Sequence, residues 1–213
     1  MPFRGLRAPK RRLAPLLSLA ERRELSIAML TDVLATVGAS GFARLLVVSR
    51  DPAALELASK LGVETFVEGA PFGYRSAAHQ VAEAAAAAGA AGLLIVPADV
   101  PLVEPAELRQ LGLASEQVAV TLVGSTGGGT SAVLTRPPNT LEYRFGRHSF
   151  RQHLRLARRE RLEAAVLYLA GLDFDVDEPA DLERLVRLAS EADTATGRCL
   201  RQLRIVPGQV ALG

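Results

Sequence analysis

The chain has 213 residues, 49% of them hydrophobic, enough to bury a full core in a single domain spanning 1–213. Its 25 basic and 23 acidic residues nearly cancel to a net charge of +2, and with three Tyr, seven Phe and no Trp it lacks the stacking platforms of a single-stranded nucleic-acid binder. A single cysteine, Cys199, excludes an intrachain disulfide framework or a CxxC metal site; no apolar run approaches membrane-spanning length, so the expectation is a cytoplasmic protein with neither nucleic-acid nor membrane partners.

In chain order, the first feature is a basic run of Arg4, Arg7, Lys10, Arg11 and Arg12. A compact ammonium beside a forked guanidinium suits a triphosphate, and such a run equally suits a solvated surface. Ser18 and Glu21 form a capping box, and Leu25, Met29, Val33 and Val37 then recur every fourth residue, which predicts a helix that Gly38 ends. A strand at 45–48, a helix at 52–61, a strand at 63–67, an alanine-rich helix at 76–88 and a strand at 93–96 follow. Strands that are continuously apolar and alternate with helices predict an α/β fold with a mainly parallel sheet covered on both faces. In such sheets ligands gather beyond the carboxyl ends of the strands, here Ser49 to Asp51 and Pro97-Ala98-Asp99. Asp99 is placed either to hold a magnesium ion against nucleotide phosphates or to cap the helix that begins at Pro105.

Apolar segments at 118–123 and 132–134 flank the run Gly127-Gly128-Gly129-Thr130-Ser131-Ala132, which pairs in character with Phe145-Gly146-Arg147-His148-Ser149-Phe150. Glycines let main-chain amides turn toward an anion, and Thr130 and Ser149 add hydroxyl donors, so the two segments read as halves of one phosphate cradle. An arginine-rich helix over 150–161 has a solvated face, and His148 and His153 lack a third ligand at metal-binding spacing. A short strand at 167–169 and a helix at 179–189 complete the patterned region. Asp175 and Asp177, one residue apart, share one side of an extended segment, to bind metal or to cap the helix behind them. The tail suggests a hairpin of 203–206 with 209–212 around Pro207-Gly208. No GxxxxGK[ST], GxGxxG or GxSxG motif is present, so the phosphate site is of neither Walker nor Rossmann type.

Six motifs in order, Lys10-x-Arg12-Leu13-x-Pro15, Leu17-Ser18-Leu19-x-Glu21-Arg22, Ala98-Asp99-Val100-Pro101-Leu102, Gly127-Gly128-Gly129-Thr130-x-Ala132, Phe145-Gly146-x-x-Ser149-Phe150-x-x-His153 and Asp175-Val176-Asp177-Glu178-Pro179-x-Asp181-Leu182, resemble the 2-phospho-L-lactate/phosphoenolpyruvate guanylyltransferases of deazaflavin coenzyme F-420 biosynthesis. The resemblance implies a GT-A-like, Rossmann-like three-layer nucleotidyltransferase fold, GTP as substrate, Mg²⁺ as cofactor, a small phosphorylated carboxylic acid as acceptor and a homodimer. By similarity, Lys10 and Arg12 would hold the GTP phosphates, Arg4, Gly73, Arg75 and Asp99 would also bind the nucleotide, Asp99 with Asp175 or Asp177 would hold magnesium, and Thr130, Gly146 and Ser149 would grip the acid. Departures from the family pattern fall at Gly73-Tyr74-Arg75, where Gly-Leu-Asn is usual, at Ser131, where Asn is usual, and at the start, where only Met1-Pro2-Phe3 precedes Arg4 in place of a full first strand. A related nucleotidyltransferase using another NTP or acceptor, such as 3-phosphoglycerate or a molybdopterin-like phosphate, and a non-catalytic nucleotide-binding relative are the competing readings.

Overall fold

The structure is a computed structural model that describes residues 1–205. After a 3-10 turn at Arg11–Leu13, α1 runs over Leu19–Gly38, with the Glu21 N–H donating to Ser18 Oγ and the Ser18 N–H to Glu21 Oε2. There follow β1 (Leu46–Ser49), α2 (Pro52–Lys60), β2 (Glu64–Val67), α3 (Tyr74–Ala87), β3 (Leu93–Ile95) and α4 (Pro105–Ala114). The second half holds β4 (Val120–Gly124), β5 (Thr130–Thr135), α5 (Ser149–Arg159), β6 (Ala164–Leu167), α6 (Pro179–Ala189) and α7 (Ala195–Gln202). The predicted α/β class is what forms, and every helix predicted up to residue 189 is present with its ends moved by at most two residues.

Parallel pairing joins β1 to β2 and β4 to β6, whereas β5 lies antiparallel between β3 and β4 in the order β3-β5-β4-β6. The mixed character comes from the glycine turn: a connection of five residues between β4 and β5 is too short for a crossover, so the chain must double back. Burial of every β4 residue fits a strand covered on both faces of the sheet. The strand expected at 167–169 instead spans Ala164–Leu167, because Ala164 and Ala165 carry little hydrophobic signal while Leu169, which does, is a core residue beyond the strand.

Residues 1–3 do the work of the first strand. The Met1 amino group donates to Leu46 O at 2.9 Å, the Val48 N–H to Met1 O at 2.9 Å and the Phe3 N–H to Val48 O at 2.8 Å. Those bonds use Leu46 and Val48, while Leu45 accepts from Glu64 in β2 and Ser49 from Glu68 just beyond it, so the segment lies on the opposite edge of β1. A strand expected to be largely missing is therefore present as a three-residue ladder, and Met1 packs in one core cluster with Val47, Val96 and Ala98.

The tail helix α7 was invisible to local pattern because half its cap comes from far away. Thr194 accepts from the Gly197 N–H, and the Asp32 carboxylate on α1 accepts from the Ala195 and Thr196 N–H groups at 2.8 and 2.7 Å. Leu203 and Ile205 pack against the α1–α6–α7 cluster rather than starting a strand, and the rest of the expected hairpin lies outside the described residues. Cys199 is buried in the same cluster, which pushes its thiol up to about 11 and makes it an inert packing residue. Among the described residues, no helix is long and apolar enough to cross a membrane.

Candidate active site

The site forms where the ends of two segments are joined by main chain. The Val176 N–H donates to Asp99 O at 3.1 Å, tying segment 175–177 to the residues just past β3. Val176 is fully buried in the α1–α6–α7 cluster, so alternation turns Asp175 and Asp177 to the other side, as the spacing predicted. Both capping alternatives fail for the same reason: other residues cap those helices. Glu104 precedes α4, its N–H donating to Glu107 Oε2, and Glu178 precedes α6, its N–H donating to Asp181 Oδ2.

Asp99 and Asp177 are left free to meet Lys10. The Lys10 ammonium donates to Asp99 and, at 2.9 Å, to Asp177 Oδ1, with the lysine side chain only 9% exposed. Burial works against the charged form, but the two carboxylates outweigh it and hold the Lys10 pKa above its ordinary value, so the ammonium persists through neutral pH. Asp175 is driven the other way: partial desolvation of its carboxyl, with the negative charges of Asp99 and Asp177 beside it, pushes it up to about 6. Arg12 lies at the rim, its guanidinium 2.9 Å from Glu178 Oε1 with both side chains mostly exposed, a pairing weak enough to be exchanged for a ligand.

Lys10 itself adopts left-handed backbone, φ 46°, a conformation that non-glycine residues hold only when their surroundings impose it. Those surroundings are specific. Arg23 Nε donates to Leu6 O at 2.8 Å and Arg22 Nε to Pro9 O at 3.2 Å, so α1 clamps the loop from one side. From the other, Asp51 accepts the Leu6 N–H at 2.6 Å through Oδ2 while capping α2 through Oδ1. Gly5 passes over that carboxylate with φ +100°, and a Cβ there would collide with it. Gly5→Ala is accordingly expected to cost about 2 kcal/mol of stability, from a strained φ and a displaced cap, and to raise the KM for nucleotide; denaturant melts and nucleotide titrations measure the two effects. Asp51, Arg22 and Arg23 were missed as supports of the site, since nothing local shows that a helix cap also holds a loop 45 residues away.

Beside this cluster, a cleft of about 250 Å³ is lined by Phe3, Arg4, Arg50, Phe72, Gly73 and Tyr74. Arg4 lines it, and Gly73, with φ +132°, precedes α3 there, its N–H donating to Glu68 at 2.5 Å. The Arg50 guanidinium lies 4.9 Å above the exposed Phe72 ring, a pair absent from the sequence reading. Arg75 is exposed on the first turn of α3 and does not line the cleft.

The two glycine segments do come together. Thr130 Oγ1 lies 3.0 Å from Ser149 Oγ and 2.9 Å from His153 Nδ1, and a Cβ on Gly129 would stand 3.8 Å from Gly146 O. Gly146 is exposed with φ +98°, while Ser149 is wholly buried behind the more accessible Thr130. Thr126 anchors the turn to Asp173, two residues ahead of segment 175–177, which accepts its N–H at 2.6 Å and its hydroxyl. His153 is fully buried, with Nε2 accepting the Arg144 N–H at 2.8 Å. Burial, then the Arg144 charge, pushes its pKa down to about 4. Since the fold holds the ring neutral and an unfolded histidine titrates near 6.5, this stability is complete above pH 6.5 and drains away as pH falls toward 4, by roughly 3 kcal/mol. Urea unfolding at pH 7 and pH 4.5 should show the excess acid sensitivity, and His153→Gln should lack it.

Comparisons with known proteins show the family and the fold. The family model described as "Guanylyl transferase CofC like" matches residues 1–208. The phosphoenolpyruvate guanylyltransferase of Rubrobacter xylanophilus is 38% identical over 187 residues, covering 87% of this chain and 91% of that protein. A 2-phospho-L-lactate guanylyltransferase from Methanothermobacter thermautotrophicus is 33% identical over 195 residues, covering 92% and 85%. Among solved structures, one from Desulfovibrio desulfuricans G20, assigned by name to the nucleotide-diphospho-sugar transferases, has a TM-score of 0.78 at 16% identity over 96% of this chain and 94% of its own. A Mycobacterium tuberculosis H37Rv protein solved as a complex with manganese has a TM-score of 0.52 at 20% identity, over 75% and 85%. With residues 1–208 matched by the family model and relatives above 30% identity matched over most of their length, the chain belongs to the CofC-like guanylyl transferase family.

Proposed function

We propose that this protein transfers GMP from GTP to a three-carbon phospho-acid, phosphoenolpyruvate or 2-phospho-L-lactate, releasing pyrophosphate, as a step of coenzyme F-420 biosynthesis. The observation that carries the reading is the buried Lys10 ammonium held between Asp99 and Asp177 at the carboxyl ends of the strands. A nucleotide entering from the cleft places its base near Phe72, Arg50 and Gly73 and its phosphates near Arg4, Lys10 and Arg12. Thr130, Gly146 and Ser149 form the acceptor side, across from the nucleotide.

Three carboxylates near one another make a hard oxygen donor set that suits a divalent cation bound jointly by protein and phosphate oxygens. Among the described residues, no three His, Cys, Asp or Glu side chains already stand at metal-holding geometry, in keeping with Lys10 resting on two of the carboxylates. Asp99 with Asp175 or Asp177 would hold Mg²⁺, whose charge would offset that of the phosphates. Lys10 would turn to the phosphate oxygens, whose negative charge would favour the ammonium there as the two carboxylates do at rest.

An acceptor phosphate monoester has a second pKa of about 6 and is largely dianionic near neutrality, so it needs no protein base. Its oxygen forms a bond to the α-phosphorus of GTP as the bond to the β-phosphate oxygen breaks, and pyrophosphate leaves in line. No covalent protein intermediate arises, consistent with an inert Cys199 and a neutral, buried His153. The direct test is pyrophosphate release with each of the four NTPs against phosphoenolpyruvate, 2-phospho-L-lactate and 3-phosphoglycerate. GTP with one of the first two acids is the expected pair, and release with 3-phosphoglycerate alone, or none at all, would refute the proposal.

A further inference from the structure

The acceptor cradle has a direction built into its hydrogen bonds. A main-chain N–H can only donate, so the bond from Arg144 N makes His153 Nε2 an acceptor and leaves the proton of the neutral ring on Nδ1. That Nδ1–H then donates to Thr130 Oγ1 at 2.9 Å. Ser149, wholly buried, has Thr130 Oγ1 as its hydroxyl's one partner among the described residues. A buried O–H without an acceptor is costlier than a spare lone pair, so Ser149 donates too. Both lone pairs of Thr130 Oγ1 are thereby filled. With both neighbours donating, its own hydrogen finds no acceptor within the cluster and is left for an outside acceptor, Thr130 being only partly buried.

We infer that His153 is the positioning residue of the cradle, acting with Ser149 to make the Thr130 hydroxyl an obligate donor to the anionic oxygen of the bound acid; the inference rests on the acceptor reading above. His153 touches no substrate. Its tautomer decides whether Thr130 presents a proton or spends it on the ring, and the ring is braced by Phe145, whose centroid lies 5.8 Å away at an interplanar angle of 78°.

Two measurements test this. In nitrogen NMR of histidine-labelled protein, which has three histidines to resolve, one ring is expected to be protonated at Nδ1, the reverse of the form that predominates in free histidine. In kinetics, His153→Asn puts an amide donor near the Nδ1 position and His153→Gln puts an acceptor near Nε2 but no donor beside Thr130. The glutamine variant is expected to raise the KM for the phospho-acid about tenfold with the KM for GTP within about twofold, and the asparagine variant to stay within about threefold for both. An active wild type with an Nε2-protonated ring overturns this inference alone, as does a His153→Gln variant that raises both KM values equally or neither. A wild type that turns over no phospho-acid overturns the acceptor reading and this inference with it.

Discussion

Asp99→Asn is expected to lower kcat for pyrophosphate release at least about 10³-fold while the protein still folds. The substitution keeps size and shape and removes one negative charge from a cluster of three carboxylates and one ammonium. Lys10 retains Asp177 at 2.9 Å, and the main-chain bond from Val176 to Asp99 O is untouched, so segment 175–177 stays in place. What disappears is the anionic oxygen that faces both Lys10 and the proposed cation. Circular dichroism matching the wild type alongside near-absent turnover is the predicted pair of results. Activity within tenfold of wild type would remove Asp99 from the metal site.

Lys10→Met should lower kcat/KM for GTP by about 10³-fold, and Lys10→Arg should recover little of it. Methionine keeps the length of the stem and inherits the same left-handed backbone, so the change isolates the charge. Without the ammonium, Asp99 and Asp177 repel across a half-buried gap, and Asp175, already raised, is pushed further toward its protonated form. Arginine fails for a geometric reason: Nζ is a point donor reaching two carboxylates that converge from different segments, whereas the guanidinium fork is flat and suits oxygens of one group. Titrating GTP in a pyrophosphate-release assay separates the variants, and full activity of Lys10→Arg would show that charge alone suffices.

The local parts of this architecture were legible because each carries its own signal. The Ser18/Glu21 box, Pro52 and Pro179 at helix starts, and the polar-apolar-polar order Asp175-Val176-Asp177 all act within a few residues. Grouping Lys10, Asp99 and Asp177 came from ordered motifs and resemblance, since no local rule joins residues 89 and 167 positions apart. What remained hidden was tertiary in origin: Asp32 capping α7, Asp51 capping α2 while holding Leu6, and residues 1–3 finding an edge of β1. Arg75 stood out as a departure from family pattern, yet the structure puts it outside the cleft and Arg50 and Phe72 at its mouth. His153 was visible as a motif letter, and only its two hydrogen-bond partners give that letter a task.

The single main-chain bond from Val176 to Asp99 O also bears on how freely this site can drift in sequence. Because the weld between the two acidic segments is an amide and a carbonyl, position 176 is constrained only to be apolar and to own an N–H. Isoleucine or leucine there would preserve the spacing of the three clustered carboxylates without touching any of them. Proline, equally apolar but without an N–H, would let the two halves of the cluster part.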